Sequence, residues 1–295
     1  MNRRSFVKQS ALIGMGMMAG GKAMAAETAS TREIAMFTKS LEKLSFDELA
    51  AAIAPLGVAG LEAPLRKGGH IEPAQMVDRL PAFVEALAKK NLSVLIMASS
   101  IDQVDKEGLA EKQLRAAAKA GIKRYRLQHL KYDLSKPLKP QIANFKAQLK
   151  DLAELNKAIG IQGLYQNHRG NNYVGGPIWD MVGMLEEIDV KHLGMAFDFA
   201  HASVEGANAW EMNFHHAQPH IGAVFFKDYK LVGKKWEACP IGEGVVNPLS
   251  GKLVSKLPNH IPISIHIEYV NGDDIVTKMV EATKNDLATV KKWLG

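Results

Sequence analysis

Polar and titratable side chains recur at the ends of short apolar runs along this 295-residue chain. Glu62 closes one run, Arg126, Gln128 and His129 surround another, and Gln166, Asn167 and His168 end a third. Asp198 and His201, then Lys227 and Asp228, then His266 and Glu268 follow the later runs. Buried carboxylates cost free energy unless metals, hydrogen bonds or opposite charges compensate. A convergent ring of this kind therefore points to a site. The chemistry within its reach is proton transfer and the stabilisation of an oxyanion. Carboxylates can take up a proton, and an ammonium can face a developing negative charge. His266 and Glu268 share one face through the period of two along a strand.

Each of these residues also has an ordinary structural role open to it. Glu62 could be a loop carboxylate held by Arg66 or Lys67, and Lys227 could pair with Asp198 or Asp228. His129 reads more readily as a surface or loop histidine. His215, His216 and His220 fall on the sixth helix and its exit, where such residues are usually solvated or packed rather than metal ligands. Asp198, His201, Lys227 and Glu268 look least like bland structure, since each ends a strongly apolar strand.

The elements that must position them alternate along the chain. Strands are predicted at Glu33–Thr38, Val58–Ala63, Ser93–Ala98, Arg124–Leu127, Ile161–Asn167, Leu193–Phe199, Ala223–Lys227 and Pro262–Glu268. Each is a short β-favouring run bounded by Gly, Pro, Asn or charged turns. Helical patterns lie between them. Phe46 to Leu56 starts at Ser45/Asp47 and stops at Gly57. Pro140 to Ile159 puts Ile142, Phe145, Leu149, Leu152 and Ile159 on one face before Gly160. A last helix from Asp273 or Asp274 buries Ile275, Met279, Leu287 and Val290. Eight strands with intervening helices predict an α/β fold, a single (β/α)8 TIM barrel over residues 27–295. A doubly wound sheet is disfavoured because no glycine-rich loop follows Thr38.

The net charge is +6, from 37 basic and 31 acidic residues. Arg3, Arg4, Lys8 and Lys22 all lie in the first 26 residues, which hold no acid; without them the balance is 33 to 31. The basic surplus is thus mostly an N-terminal feature, and it argues for neither nucleic acid nor a membrane surface as partner. The single cysteine, Cys239, excludes an internal disulfide and multi-cysteine metal sites. No apolar run reaches the roughly 18 residues of a spanning helix. The arginine pair, Phe6, Lys8, a weak apolar stretch and Ala23-Met24-Ala25 together resemble a twin-arginine export signal over residues 1–26. That resemblance implies a bacterial protein, periplasmic or secreted, which meets the twin-arginine (Tat) export machinery in transit. With no cysteine after the apolar stretch, no lipid anchor is expected.

Six segments, in order, resemble the xylose isomerase-like barrels. Gly57-Val58-Ala59-Gly60-Leu61-Glu62 looks like the end of their second strand, and Leu164-Tyr165-Gln166-Asn167-His168 like an L-x-E-N-H motif on the fifth. Phe197-Asp198-Phe199-Ala200-His201 resembles D-x-x-H on the sixth, and Val224-Phe225-Phe226-Lys227-Asp228 resembles V-H-x-K-D on the seventh. Pro240-Ile241-Gly242-Glu243-Gly244 resembles the L-G-E-G loop, and Ile267-Glu268-Tyr269 the eighth strand. In the epimerase branch of that superfamily the fifth-strand Glu, sixth-strand Asp, seventh-strand His and eighth-strand Glu hold a divalent metal. The two glutamates shuttle the proton.

Here those positions are Gln166, Asp198, Phe225 and Glu268. A neutral amide cannot act as a base at neutral pH, and a phenyl ring binds no metal. The two-glutamate shuttle cannot run unchanged. A divalent Mn, Mg or Zn on Asp198 and Glu268, helped by His201 or Glu62, is left as the less favoured of two readings. In the other, Lys227 supplies the positive charge and Glu268 the base, with His201 as a third catalytic candidate. Glu62, Arg126, Gln166, Asn167 and His168 would meet the substrate.

The resemblance implies an isomerase, an epimerase or a lyase/dehydratase acting on an unphosphorylated sugar or polyol by proton abstraction next to a carbonyl. Aromatic residues Tyr165, Tyr173, Trp210, Tyr229, Trp236 and Tyr269 could stack on a sugar ring. A catalytically degenerate barrel that binds carbohydrate or a protein is the second reading. An endonuclease IV-like nuclease is the third, and it lacks ligand positions at Gln166 and Phe225. Whether the chain forms a homo-oligomer stays open.

Overall fold

Short runs of β-branched and apolar residues, polar only at their ends, satisfy their backbone groups by pairing and their side chains by burial on both faces. The computed structural model describes residues 32–295. The export leader expected over residues 1–26 lies outside the described residues. Ten strands form among the described residues: β1 (Ile34–Phe37), β2 (Gly60–Pro64), β3 (Ser93–Ala98), β4 (Arg124–Arg126), β5 (Gln162–Gln166), β6 (Leu193–Asp198), β7 (Ile221–Phe226), β8 (Asp228–Val232), β9 (Lys235–Cys239) and β10 (Ile263–Ile265). Eight of them close a parallel barrel in the order β1-β10-β7-β6-β5-β4-β3-β2. The expected TIM barrel is the observed fold.

The helices between the strands are α1 (Phe46–Ile53), α2 (Met76–Ala88), α3 (Leu109–Lys119), α4 (Leu138–Ile159), α5 (Trp179–Leu185), α6 (Phe199–Gly206), α7 (Trp210–Ala217), α8 (Pro248–Val254) and α9 (Ile275–Leu294). Local chemistry sets their ends. Ser45 and Glu48 make a reciprocal capping box at the start of α1, and Gly160 takes the left-handed conformation that ends α4. On α9, Met279, Leu287 and Val290 are buried as the periodicity predicts. No described helix is long and apolar enough to cross a membrane.

Two features depart from the predicted alternation. The sixth strand is followed by two helices, α6 and α7, so His215 and His216 belong to α7. An antiparallel hairpin, β8–β9, also springs from the end of β7, pairing Asp228 with Cys239 and Val232 with Lys235. Its strands are largely exposed on one side, so they lack the apolar run that marked the other strands.

Asp228 anchors this insertion. Its Oδ1 accepts the backbone N–H groups of Tyr229 (2.8 Å) and Val246 (3.0 Å), and its Oδ2 those of Gly242 and Gly244 (both 2.9 Å). The loop after the hairpin is thereby wrapped onto the barrel rim. Asp228→Asn would turn an amide toward those donors. We expect it to cost about 1–3 kcal/mol in urea unfolding, with faster hydrogen exchange at Gly242, Gly244 and Val246.

Two layers fill the barrel. The lower holds Ala35, Leu95, Ile96, Leu164, Ala196, Ala223 and Phe225. Phe226, on the opposite face of β7, packs instead on Phe199 of α6 at 5.2 Å between centroids. Two residues beyond each inward apolar position the side chain points inward again, which lifts Gln166, Asp198 and Lys227 into a polar layer above the apolar one.

Candidate active site

The polar layer at the C-terminal ends of the strands is organised by two hubs. Glu62 is the first, fully buried in the middle of β2. Its Oε1 accepts from Arg126 Nε at 2.7 Å, and its Oε2 from Ser264 Oγ at 2.7 Å and His266 Nε2 at 2.8 Å. Burial alone would raise this carboxyl, but His266 and Arg126 beside it bring it down to about 2. Glu62 is therefore held by Arg126 and His266, not by Arg66 or Lys67. With both oxygens engaged beneath the cavity it supports the site rather than meeting a substrate.

Lys227 is the second hub, 3% exposed. Its Nζ lies 3.3 Å from Asp198 Oδ2 and 3.2 Å from Glu268 Oε1. Asp228, the other partner the sequence allowed, is occupied by the backbone donors described above. Burial works against the ammonium, but Asp198 and Glu268 together raise it above the ordinary lysine value, so Lys227 is a permanent cation. Asp198 Oδ2 also accepts from Gln166 Nε2 at 2.7 Å, and its Oδ1 caps α6 through the His201 N–H at 3.0 Å. Glu268 Oε2 accepts from Tyr229 Oη at 2.6 Å. Burial would raise the Glu268 carboxyl, and Lys227, His266 and Tyr229 overcome it, leaving it at about 2. Burial pushes the Tyr229 phenol up to about 12, Lys227 opposing and Glu268 adding to the shift.

Three imidazoles cluster beside this hub. His168 packs 4.0 Å from His201 and 4.6 Å from His129 between centroids, and Tyr173 stacks on His168 at 4.7 Å. Burial, reinforced by nearby cations, lowers all three; His129 falls to about 2 and His168 to about 4. The rings are neutral. The His168 Nδ1 lies 2.8 Å from the Arg169 carbonyl, so it carries the proton and leaves Nε2 as an acceptor. His129 is thus a site histidine rather than a surface one. His201 is buried with no hydrogen bond to either ring nitrogen. His216 instead stacks on Trp179 at 4.1 Å, away from this cluster.

A cavity of about 230 Å³ opens at the barrel mouth, lined by residues that include Gln166, His168, Lys227 and Glu268, with Arg126, His129 and His266. Asn167, expected to meet substrate, is spent elsewhere: its amide bridges the Asp198 backbone, accepting from N at 2.8 Å and donating to O at 3.0 Å. His201 does not line the cavity either. Among the aromatic candidates, Tyr165 is buried, accepting the Leu130 N–H at 3.0 Å and donating to the Val174 carbonyl at 3.0 Å. Tyr229 reaches the hub through its hydroxyl. Sequence reading missed Ser264, although the period of two from His266 and Glu268 selects it. It also missed Phe37, Lys39 and Arg66, which the loops of β1 and β2 bring to the rim.

The donor set does not suit a divalent cation. Every oxygen of Asp198 and Glu268 already accepts a hydrogen bond or a lysine contact, and the Lys227 ammonium sits between the two carboxylates. Phe225, where the resembled V-H-x-K-D motif has a histidine, packs in the apolar cluster inside the barrel. Among the described residues no group of three or more His, Cys, Asp or Glu side chains is arranged to hold a metal.

The sequence profile of the family described as xylose isomerase-like TIM barrel matches residues 50–272. No curated protein matches the chain. Among solved structures, an apo 3-keto-D-glucoside 4-epimerase from E. coli is 16% identical, with a TM-score of 0.67 over 89% of this chain and 100% of that one. A D-psicose 3-epimerase with D-tagatose, from Clostridium cellulolyticum H10, is 10% identical, with a TM-score of 0.67 over 89% and 99%. A probable 3-DHS dehydratase from Bacillus anthracis is 16% identical, with a TM-score of 0.65 over 88% and 98%. At these identities the likeness is one of fold.

Proposed function

The chain belongs to the xylose isomerase-like TIM barrel family, and from that footing we propose that it is an exported sugar isomerase, epimerase or dehydratase working without a bound metal. Its substrate is an unphosphorylated sugar, or a polyol derivative that carries a carbonyl, which loses a proton from the carbon next to that carbonyl. The observation that carries this reading is the Lys227 ammonium, held 3.3 Å from Asp198 and 3.2 Å from Glu268 at the floor of the mouth cavity. A fixed cation there can stabilise the enolate oxygen as a preorganised charge.

In this reading Glu268 takes the proton, the C–H electron pair moves into the carbon–carbon bond, and the carbonyl oxygen gathers charge against Lys227. At rest Lys227 and Tyr229 keep Glu268 ionised and oriented. As charge builds on the substrate oxygen facing Lys227, the ammonium is shared with it, its pull on Glu268 weakens, and the carboxylate becomes a better base. His168 Nε2 and Gln166 are placed to order substrate hydroxyls. The family's four-donor metal set supports no step here, because Gln166 and Phe225 replace two of its members. A barrel that only binds carbohydrate is the second reading, favoured by Glu268 having both oxygens engaged.

Proton nuclear magnetic resonance in D2O separates these. Full-length protein stripped with EDTA is mixed with a panel of neutral and acidic aldoses and ketoses. Deuterium should enter at the carbon beside the carbonyl, at a rate EDTA leaves unchanged. Exchange that vanishes with EDTA and returns with Mn2+ would refute the metal-free mechanism. Binding without exchange would favour the carbohydrate-binding barrel. Export is tested by fractionating cells that express the Arg3→Lys/Arg4→Lys variant, which should retain the protein in the cytoplasm.

A further inference from the structure

The charges that line the mouth do not balance. Lys39, Arg66, Arg126 and Lys227 border the cavity, against Glu268 as the one bordering carboxylate. Below it, Glu62 is spent on Arg126, while Asp198 and Glu268 share Lys227. Arg66, half-buried just past β2, and Lys39, exposed just past β1, make no ion pair among the described residues. Glu42 lies near enough for each to pull on its carboxyl, yet it pairs with neither. No side-chain hydrogen bond ties Arg66 to the protein either. A guanidinium partly withdrawn from water and left without an anion is costly, and its fork matches the two oxygens of a carboxylate.

We propose that Arg66, with Lys39 at the rim, binds a carboxylate of the substrate, so that the site takes a sugar acid or polyol acid rather than a neutral sugar. This rests on the mouth being the substrate site of the preceding reading and sharpens its substrate class. Lys227 and Glu268 then face the reacting carbonyl while Arg66 holds the acid group. A phosphate would satisfy the same oxyanion chemistry. The planar fork of Arg66 matches the two coplanar oxygens of a carboxylate, which favours that group.

The test titrates full-length protein with D-glucuronate, D-glucose 6-phosphate and D-glucose, read by calorimetry and thermal shift. D-Glucuronate should bind more tightly than D-glucose, with affinity falling as salt is raised. Arg66→Ala should weaken D-glucuronate by about 10- to 100-fold and leave D-glucose unchanged, and Arg66→Lys should restore part of the loss. The proposal is overturned if D-glucose binds as well as D-glucuronate, if Arg66→Ala keeps full affinity, or if D-glucuronate fails to bind in the millimolar range. Tighter binding of D-glucose 6-phosphate would assign the anion to phosphate and overturn the carboxylate. Arg66-dependent binding of D-glucuronate with no deuterium exchange on any sugar would sink the enzymatic reading and leave this one standing. Exchange on a sugar, with D-glucuronate bound no more tightly than D-glucose and unaffected by Arg66→Ala, would do the reverse.

Discussion

Lys227→Met is expected to suppress deuterium exchange by at least about 100-fold, the scale on which a preorganised oxyanion donor acts, and to destabilise the fold by about 3–5 kcal/mol. Both effects have one cause. The variant leaves Asp198 and Glu268 facing each other across an apolar side chain, with no cation between them. It also removes the charge that the enolate oxygen would meet. A second consequence separates this account from simple damage to packing. With the ammonium gone, the two carboxylates become available to a divalent cation, so Mn2+ should raise the melting temperature of Lys227→Met while leaving the parent protein unmoved. If the variant exchanges deuterium as fast as the parent, Lys227 is not the electrostatic centre.

Glu62→Gln should cost about 3–5 kcal/mol although it removes no volume, because it strips the charge that Arg126 and His266 both use. The pH dependence gives the sharper check. Glu62 is held at about 2, below the 4.5 of an unperturbed glutamate, so the folded state binds fewer protons than the unfolded one between those values. The stability it contributes is full above about 4.5 and is lost as pH falls toward 2, roughly 3 kcal/mol over the window. His168, lowered to about 4, and His70, buried beside Thr38 and also at about 4, act in the same sense at higher pH. They withdraw stability as pH falls from 6.5 toward 4. Urea unfolding at stepped pH should show both phases in the parent, and a smaller lower phase in Glu62→Gln, where Glu268, also held at about 2, supplies what remains. A lower phase of undiminished size in the variant would show that Glu62 contributes nothing to the acid lability.

Much of this protein was legible along the chain. Alternating apolar runs and amphipathic stretches are local signals, and a strand buried on both faces must be apolar wherever it occurs. The eight barrel strands, the capping of α1 and the stop of α4 at Gly160 follow from them. The period of two also put His266 and Glu268 on one face, and Gln166, Asp198 and Lys227 stand at the ends of their predicted strands. The β8–β9 hairpin was not legible, since it is half-exposed and held by Asp228 through backbone N–H groups that any sequence possesses. Nor could composition separate the supporting residues from the lining ones. Glu62 and Asn167 sit in the same kind of motif as Gln166 and His168, yet lie below the cavity.

By itself, then, the sequence determined the barrel and the rim on which chemistry must sit, and its resemblance to the family marked Gln166 and Phe225 as departures from the motif. Only the tertiary structure decided who pairs with whom. Glu62 meets His266 across 204 residues of chain, and Lys227 settles between Asp198 and Glu268 rather than on neighbouring Asp228. Arg66, one basic side chain among many in the sequence, proves to be a cation without an anion at the mouth. The physical reason is that burial and secondary structure depend on periodic patterns within a segment. The balance of charge in a cavity depends on distances between segments, which exist only after the barrel has closed.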